Sequence, residues 1–86
     1  MNKLLIYKYI NKLTKNDIIQ FGLKQNITLD NNDTNIIYDY IKNDNKRIIN
    51  NPLEIISEVK DKVSEQVYHK LLELYDKYKD FIDKLK

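Results

Sequence analysis

The chain has 86 residues, of which 42% are hydrophobic and 33% are charged, and its formal net charge is +2. A chain of this length supports one domain, and folding buries roughly 60–65% of the surface that the unfolded chain would expose. It contains no cysteine, which excludes disulfides, thiolate metal ligands and a cysteine nucleophile.

Asparagine, isoleucine, lysine and tyrosine make up more than half of the residues, whereas alanine is absent and arginine, glycine and proline occur once each. The favoured residues have A/T-rich codons, which predicts an AT-rich source genome. Part of the lysine content then reflects mutational bias, so that it is weak support for a polyanionic partner.

Residues 2–13 predict a first helix, because Ile6, Ile10 and Leu13 recur at spacings of four and three on one face. The apolar run from Leu4 to Tyr7 is shorter than the roughly 7–15 residues of a signal peptide. No window approaches the roughly 18 apolar residues of a membrane span. We therefore expect an intracellular, cytoplasmic protein that does not contact a membrane.

A second helix is predicted over residues 15–24. Thr14 is a suitable N-cap, and Asp17 follows it three residues later, which is a variant of the capping box. In that arrangement the threonine hydroxyl and the acidic side chain each satisfy a backbone N–H that the helix itself leaves unpaired.

Residues 25–32 interrupt the helical pattern, because Ile27 and Leu29 alternate with polar neighbours. This alternation predicts an extended connector whose apolar side chains turn inward. The polar residues at its end are competent helix caps, and a third helix is predicted over about 32–43.

The third helix is predicted to end at NDNKR, residues 43–47, and Ile48–Ile49 are predicted to make a short apolar contact. Asn51 and Pro52 then mark the start of a fourth helix, about 52–62. Proline is favoured at the first helical position because the N–H it lacks has no partner there, and Asn51 is expected to cap the helix.

The stretch SEQVYHKLLELYDKYKDFIDKLK, residues 64–86, predicts a fifth helix that starts at Ser64 and Glu65. Apolar residues follow it at spacings of three and four, the heptad pattern of helices that pack on other helices. One stripe contains Val67, Leu71, Leu74, Tyr78, Phe81 and Leu85, and the other contains Tyr68, Leu72, Tyr75 and Ile82.

A helix of about 22 residues is about 33 Å long, whereas helices of about 9–12 residues span about 14–18 Å. The shorter helices cannot cover all of it, and each large apolar side chain left in water forgoes roughly 1.5–3 kcal/mol of burial. We therefore predict a protein–protein interface there, formed by self-association or by a partner helix. The predicted interface residues are Val67, Leu71, Leu74, Tyr78, Phe81, Ile82 and Leu85.

An alternative to this interface is that the first helix folds back along the last one. Its apolar residues, Leu5, Ile6, Tyr9 and Ile10, would then cover the heptad stripe within one chain. The two arrangements differ in oligomeric state, since only the first needs a second molecule.

Candidate catalytic groups are few. The single histidine, His69, has Glu65 and Glu73 one turn away on either side, but no nucleophile accompanies them. Residues 30–41 superficially resemble a calcium loop, although Ile41 occupies the position of the bidentate glutamate. We predict no catalytic, cofactor-binding or metal-binding residues, and a protein that is not an enzyme.

A small DNA-binding module is the alternative function. Residues 14–47 read as helix, connector and helix, the outline of several such modules. Against it, the outward face of the third helix carries Asp39, which would repel the phosphate backbone. The alternative requires a contiguous basic patch, and the side chains that would contact phosphates are Lys24, Lys42, Lys46 and Arg47.

Two stretches, LTKNDIIQFGLKQNITLD and NPLEIISEVKDKVSEQVYHKLLELYDKYKDF, occur in an order that resembles a family of short, all-helical proteins from Bacillus-like, low-GC bacteria. The resemblance covers about residues 12–82. It implies a helical fold and no activity, cofactor or catalytic residue, because that family has no established function.

Taken together, the patterns predict an all-α protein, a compact bundle of about five helices with a longer C-terminal amphipathic helix. The predicted function is non-enzymatic and depends on protein–protein interaction. The predicted partner is a second copy, giving a homodimer, or a larger assembly of which this chain is an accessory subunit.

Overall fold

The computed structural model describes residues 3–85, and it describes side chains from residue 3 to residue 84. These residues form six α-helices and no strand. The helices are α1 (Lys3–Lys12), α2 (Lys15–Lys24), α3 (Asn31–Asn43), α4 (Asn45–Asn50), α5 (Pro52–Val59) and α6 (Glu65–Leu85). The predicted all-α bundle with its longest helix at the C-terminus is thereby confirmed.

The start of α2 has the predicted capping box. The Thr14 hydroxyl accepts the Asp17 N–H at 3.1 Å, and the Asp17 carboxylate accepts the Thr14 N–H at 2.9 Å. The bond from the Thr14 N–H, followed by that from its hydroxyl, lowers the pKa of Asp17, because both favour the ionised carboxylate.

The connector between α2 and α3 is also as predicted, since Ile27 and Leu29 are buried. Asn26 turns the chain with a positive φ of 65°, a conformation that asparagine tolerates better than most residues. A Cβ on Gly22 would lie 3.1 Å from the Leu29 Cγ, so the missing side chain lets the connector pack closely on α2. With Val67 of α6, these connector residues and Ile18 form the main buried cluster.

Residues 45–50 form a helix of their own, where the sequence pattern predicts only the end of α3 and a short apolar contact. Asp44 is both the C-cap of α3 and the N-cap of α4, so one residue separates the two helices. Ile49 of α4 is buried. A helix of six residues is too short for a 3.6-residue period to be recognised in the sequence.

At the start of α5, Pro52 occupies the first turn, as predicted. Asn51 lies at the N-cap position, but its side chain makes no capping hydrogen bond, so the predicted cap is only positional. Ile55, Ile56 and Val59 of α5 are buried, and this apolar face holds the helix in place.

From α2 to α6, each helix packs on the next one in sequence. In addition, α1 packs on α3 and α4, and α4 packs on α6. The molecule is 32 Å along its longest axis and 23 by 22 Å across. The α6 helix, at about 1.5 Å per residue, is therefore about as long as the whole molecule.

Candidate interaction site

Burial decreases along the heptad stripe of α6. Val67 at its start is only 2% exposed, whereas Tyr78 and Phe81 near its end are 44% and 45% exposed. Leu71 and Leu74 between them are half-buried. The bundle thus covers the first half of the stripe and leaves the second half partly open to solvent.

The N-terminal end of α6 is fixed by the start of α3. The Asp33 carboxylate accepts the Ser64 N–H at 3.0 Å and the Ser64 hydroxyl at 2.9 Å. The side-chain amide of Asn32 donates to the Lys62 carbonyl at 3.1 Å. These bonds hold the buried end of α6 in place, so that its other end is the end with fewer contacts.

The α1 helix does not cover that open end in the way the folded-back alternative requires, since it packs against α3 and α4. Its own apolar side chains Leu4, Leu5 and Tyr9 are exposed. The second half of the α6 stripe therefore remains partly uncovered within one chain.

A groove of about 800 Å³ reaches into the core, and residues of all six helices line it. Phe21 of α2 and Leu74, Tyr78 and Ile82 of α6 contribute apolar and aromatic surface to it. Volumes of about 300–1,000 Å³ with mainly apolar linings are typical of ligand sites. Its apolar lining extends from buried residues such as Val67 to half-exposed ones such as Tyr78.

The charged side chains that line this groove are Lys12, Lys24, Lys70 and Asp17. Asp17 is engaged in the capping box of α2, and Lys70 pairs with the exposed Glu73 at 3.1 Å. Lys12 and Lys24 form no ion pair within residues 3–85. The lining thus contains three lysines and one aspartate.

Five of the predicted interface residues line the groove: Val67, Leu71, Leu74, Tyr78 and Ile82. Val67 also belongs to the buried cluster, and Leu71 packs against it. Phe81 lies outside the groove lining. The side chain of Leu85 is outside the described residues.

The residues of the predicted DNA-contacting set are also dispersed. Lys24 lines the groove, and Lys42 donates to the Asn11 carbonyl while its ammonium lies 5.4 Å from the Tyr38 ring centroid. Lys46 is exposed on α4. Arg47 is bound by carboxylates. Of the four residues, it therefore departs most from the predicted role of contacting phosphates.

The Arg47 guanidinium binds Glu54 at 2.8 Å, Asp44 at 3.4 Å and also Glu58. The bonds from Arg47 lower the pKa of Glu58, and burial opposes them. The Tyr40 hydroxyl donates to Glu58 at 3.2 Å. One feature of the sequence is consistent with this group of ion pairs around Arg47. Glu54 and Glu58 are four residues apart and therefore share a helix face.

His69 makes a single polar contact, with Glu65 at 3.4 Å, and its ring lies 5.6 Å from that of Tyr68. Between residues 3 and 85, no group of three or more His, Asp or Glu side chains is placed to hold a metal ion. No helix among the described residues combines the length and the apolar character needed to cross a membrane.

Comparison with family models, with curated proteins and with solved structures finds no match to this chain. The resemblance to the Bacillus-like helical family therefore stays a prediction.

Proposed function

We propose that this chain is a non-enzymatic protein that acts by binding another protein chain through the second half of α6. The first partner to test is a second copy of the chain, which would give a homodimer. An accessory subunit of a larger assembly is the other form that the same interface would take.

The observation that carries this proposal is the loss of burial along one apolar stripe, from Val67 at 2% exposed to Phe81 at 45% exposed. A fully buried aromatic side chain gains roughly 1.5–3 kcal/mol over an exposed one, which is a large fraction of the roughly 5–10 kcal/mol expected for a small domain. A second helix packed on the stripe would recover that burial at Tyr78 and Phe81.

Substitution of Phe81 by aspartate tests the interface, because a carboxylate cannot be buried there without a partner. We expect Phe81→Asp to abolish association while helicity stays nearly unchanged, since the side chain is half-exposed in the single chain. Leu53 of α5 is 50% exposed and lies outside the proposed interface, so Leu53→Asp is the matched control.

Size-exclusion chromatography with light scattering measures the mass of each variant, and circular dichroism measures its helicity. Loss of the dimer in Phe81→Asp but not in Leu53→Asp would support the proposal. Equal association of both variants with the unmodified chain would contradict it.

The DNA-binding alternative has less support, because Arg47 is held by three carboxylates. Lys42 is engaged with the Asn11 carbonyl. No observation on residues 14–47 specifically favours nucleic acid, and a sedimentation experiment with a DNA duplex distinguishes the two functions.

A further inference from the structure

We infer that the exposed face of α1 binds the surface of an anionic lipid bilayer, with its leucines among the acyl chains and its lysines at the headgroups. This face consists of Leu4, Leu5, Lys8, Tyr9, Asn11 and Lys12, all of which are exposed. It shares no residue with the proposed α6 interface, so either surface can act without the other.

The exposed residues of α1 lie side by side on the helix. Successive residues of an α-helix are about 100° apart, which places the exposed side chains within an arc of about 160°. Ile6 and Ile10 are half-buried and lie outside this arc, on the side where α1 packs on α3 and α4. The exposed residues therefore form one continuous surface.

The apolar part of this surface is the most exposed in the described chain. Leu4, Leu5 and Tyr9 are 67%, 57% and 68% exposed, more than any other large apolar side chain in residues 3–84. Apolar side chains grouped in this way mark surfaces that bind a protein or a membrane. The acyl chains of a bilayer would remove them from water without requiring a partner of matching shape.

The charge of the surface is of one sign. Every charged side chain in residues 3–16 is a lysine, and Lys8, Lys12 and Lys15 are exposed. These three lysines form no ion pair within residues 3–85. The surface potential of anionic lipids attracts such groups of lysines on an amphipathic helix.

The tertiary structure adds a further lysine at the C-terminal end of α1. The Lys42 ammonium donates to the Asn11 carbonyl and lies 5.4 Å from the Tyr38 ring centroid. The Lys15 ammonium lies 5.3 Å from the same centroid. One aromatic ring therefore holds two lysines near each other at the end of α1, where they extend its basic surface.

A second protein chain is a poorer occupant of this face. In a symmetric dimer built on α1, the lysines of one copy would face those of the other, and like charges repel. A partner helix would need an apolar seam along α1, but the leucines of its first half are followed by Lys8 and Lys12. A bilayer suits this order, because lysines bury their stems and keep the ammonium in the headgroup region, where tyrosine is also enriched.

The size of α1 fits contact with a membrane surface. Its 10 residues span about 15 Å, half of the roughly 30 Å hydrocarbon core, so α1 can lie on a bilayer but cannot cross it. The sequence-based expectation of no membrane contact depended on the lack of a spanning segment and a signal peptide. A helix that lies in the interface needs neither, and that expectation is revised accordingly.

Co-sedimentation with vesicles measures binding to the lipid surface. One set of vesicles is phosphatidylcholine alone, and in the other about a third of the lipid is phosphatidylserine, which is anionic. We expect the chain to bind the anionic vesicles at least about tenfold more tightly than the neutral ones. Binding should weaken as salt rises, because salt screens exposed charges.

A single introduced tryptophan reports which helix enters the bilayer, since the chain contains none. Tyr9→Trp places the reporter on the α1 face, and Leu53→Trp places it on α5 at a position that is 50% exposed. We expect the emission of Tyr9→Trp to shift to shorter wavelength on anionic vesicles, because the indole leaves water. The emission of Leu53→Trp should stay unchanged.

Two charge-reversal variants separate the lysines of α1 from overall charge. Lys8→Glu with Lys12→Glu reverses two charges of the face, while Lys60→Glu with Lys77→Glu makes the same change in net charge at exposed positions outside α1. We expect the first variant to weaken binding to anionic vesicles by about tenfold or more and the second by less than about threefold.

Two leucine variants test the apolar part in the same way. Leu4→Ser with Leu5→Ser removes both leucines of the face, and Leu23→Ser with Leu53→Ser removes two exposed leucines of α2 and α5. We expect the first variant to weaken binding by about tenfold or more and the second by less than about twofold. Circular dichroism checks that every variant remains helical.

Several results would overturn the inference. These are no binding of the unmodified chain to anionic vesicles, equal binding to neutral ones, α1 variants that bind as well as their controls, or equal emission shifts of the two tryptophan reporters. Polyglutamate and a DNA duplex are tested in parallel. Binding to either of them without binding to vesicles would assign the face to an acidic macromolecule instead. Self-association is measured without lipid, so failure at α1 is distinguishable from failure of the proposed α6 interface.

Discussion

Asp33, near the start of α3, binds both the backbone N–H and the hydroxyl of Ser64, the residue before α6. The carboxylate is 2% exposed and lies 31 residues away in sequence. It satisfies a backbone N–H that a helix start would otherwise leave without a partner. One buried side chain of α3 thus ties the start of the longest helix to that helix.

Replacement of Asp33 by alanine would remove the acceptor of both the Ser64 N–H and the Ser64 hydroxyl. We expect the free energy of unfolding to fall by about 2–3 kcal/mol, from the lost cap and the unpaired groups. Urea denaturation measures the change. Asp39, exposed on the same helix, is the control, and Asp39→Ala should change stability by less than about 0.5 kcal/mol. Equal effects of the two substitutions would refute the role given to Asp33.

Val67→Ala and Phe81→Ala test whether burial ends midway along α6. Val67 is in the core, so its substitution should lower the free energy of unfolding by about 2 kcal/mol, from lost transfer energy plus a cavity. Phe81 is half-exposed in the single chain, so Phe81→Ala should cost less than about 1 kcal/mol there. Denaturation at a protein concentration low enough to keep the chain monomeric measures both. A larger loss in Phe81→Ala than in Val67→Ala would contradict the fold described here.

The pairing of Arg47 with Glu58 makes a pH-dependent contribution to stability. Arg47 lowers the pKa of Glu58 below its ordinary value of 4.5. A carboxyl whose pKa is lowered by folding stabilises the fold above its unfolded pKa. That contribution is therefore present above about pH 4.5 and is lost as the pH falls through the lower, folded pKa.

An NMR titration of the Glu58 side-chain carboxyl carbon tests this coupling directly. In Arg47→Gln the pKa of Glu58 should move back up towards 4.5, because the guanidinium that favours the ionised form is gone. Lys46→Gln removes the same charge from the adjacent, exposed residue and should leave the Glu58 pKa almost where it was. An unshifted pKa in Arg47→Gln would show that Arg47 does not set it.

Local features of this fold are readable from the sequence. The capping box of Thr14 and Asp17 involves residues three apart, and the inward alternation of Ile27 and Leu29 involves residues two apart. Both patterns depend only on backbone periodicity and on which groups can reach a neighbouring N–H. The same local logic places Pro52 in the first turn of α5.

Features that depend on tertiary contact are not readable in this way. Nothing near Asp33 in sequence indicates that it reaches Ser64, and nothing near Arg47 indicates that Glu58 arrives beside it. The groove is assembled from several helices, so its lysines, Lys12, Lys24 and Lys70, appear in the sequence as ordinary charged helix positions. The six-residue α4 helix is missed because it completes fewer than two turns.

Sedimentation velocity on the unmodified chain, alone and mixed with a short DNA duplex at low and moderate salt, is the most direct test of the proposed protein interface. We predict a species of about 21 kDa, twice the 10.4 kDa of one chain, that does not sediment with the duplex. A monomer that sediments with the duplex and is released as salt rises, as phosphate-dominated binding requires, would contradict the proposal and favour the DNA-binding alternative.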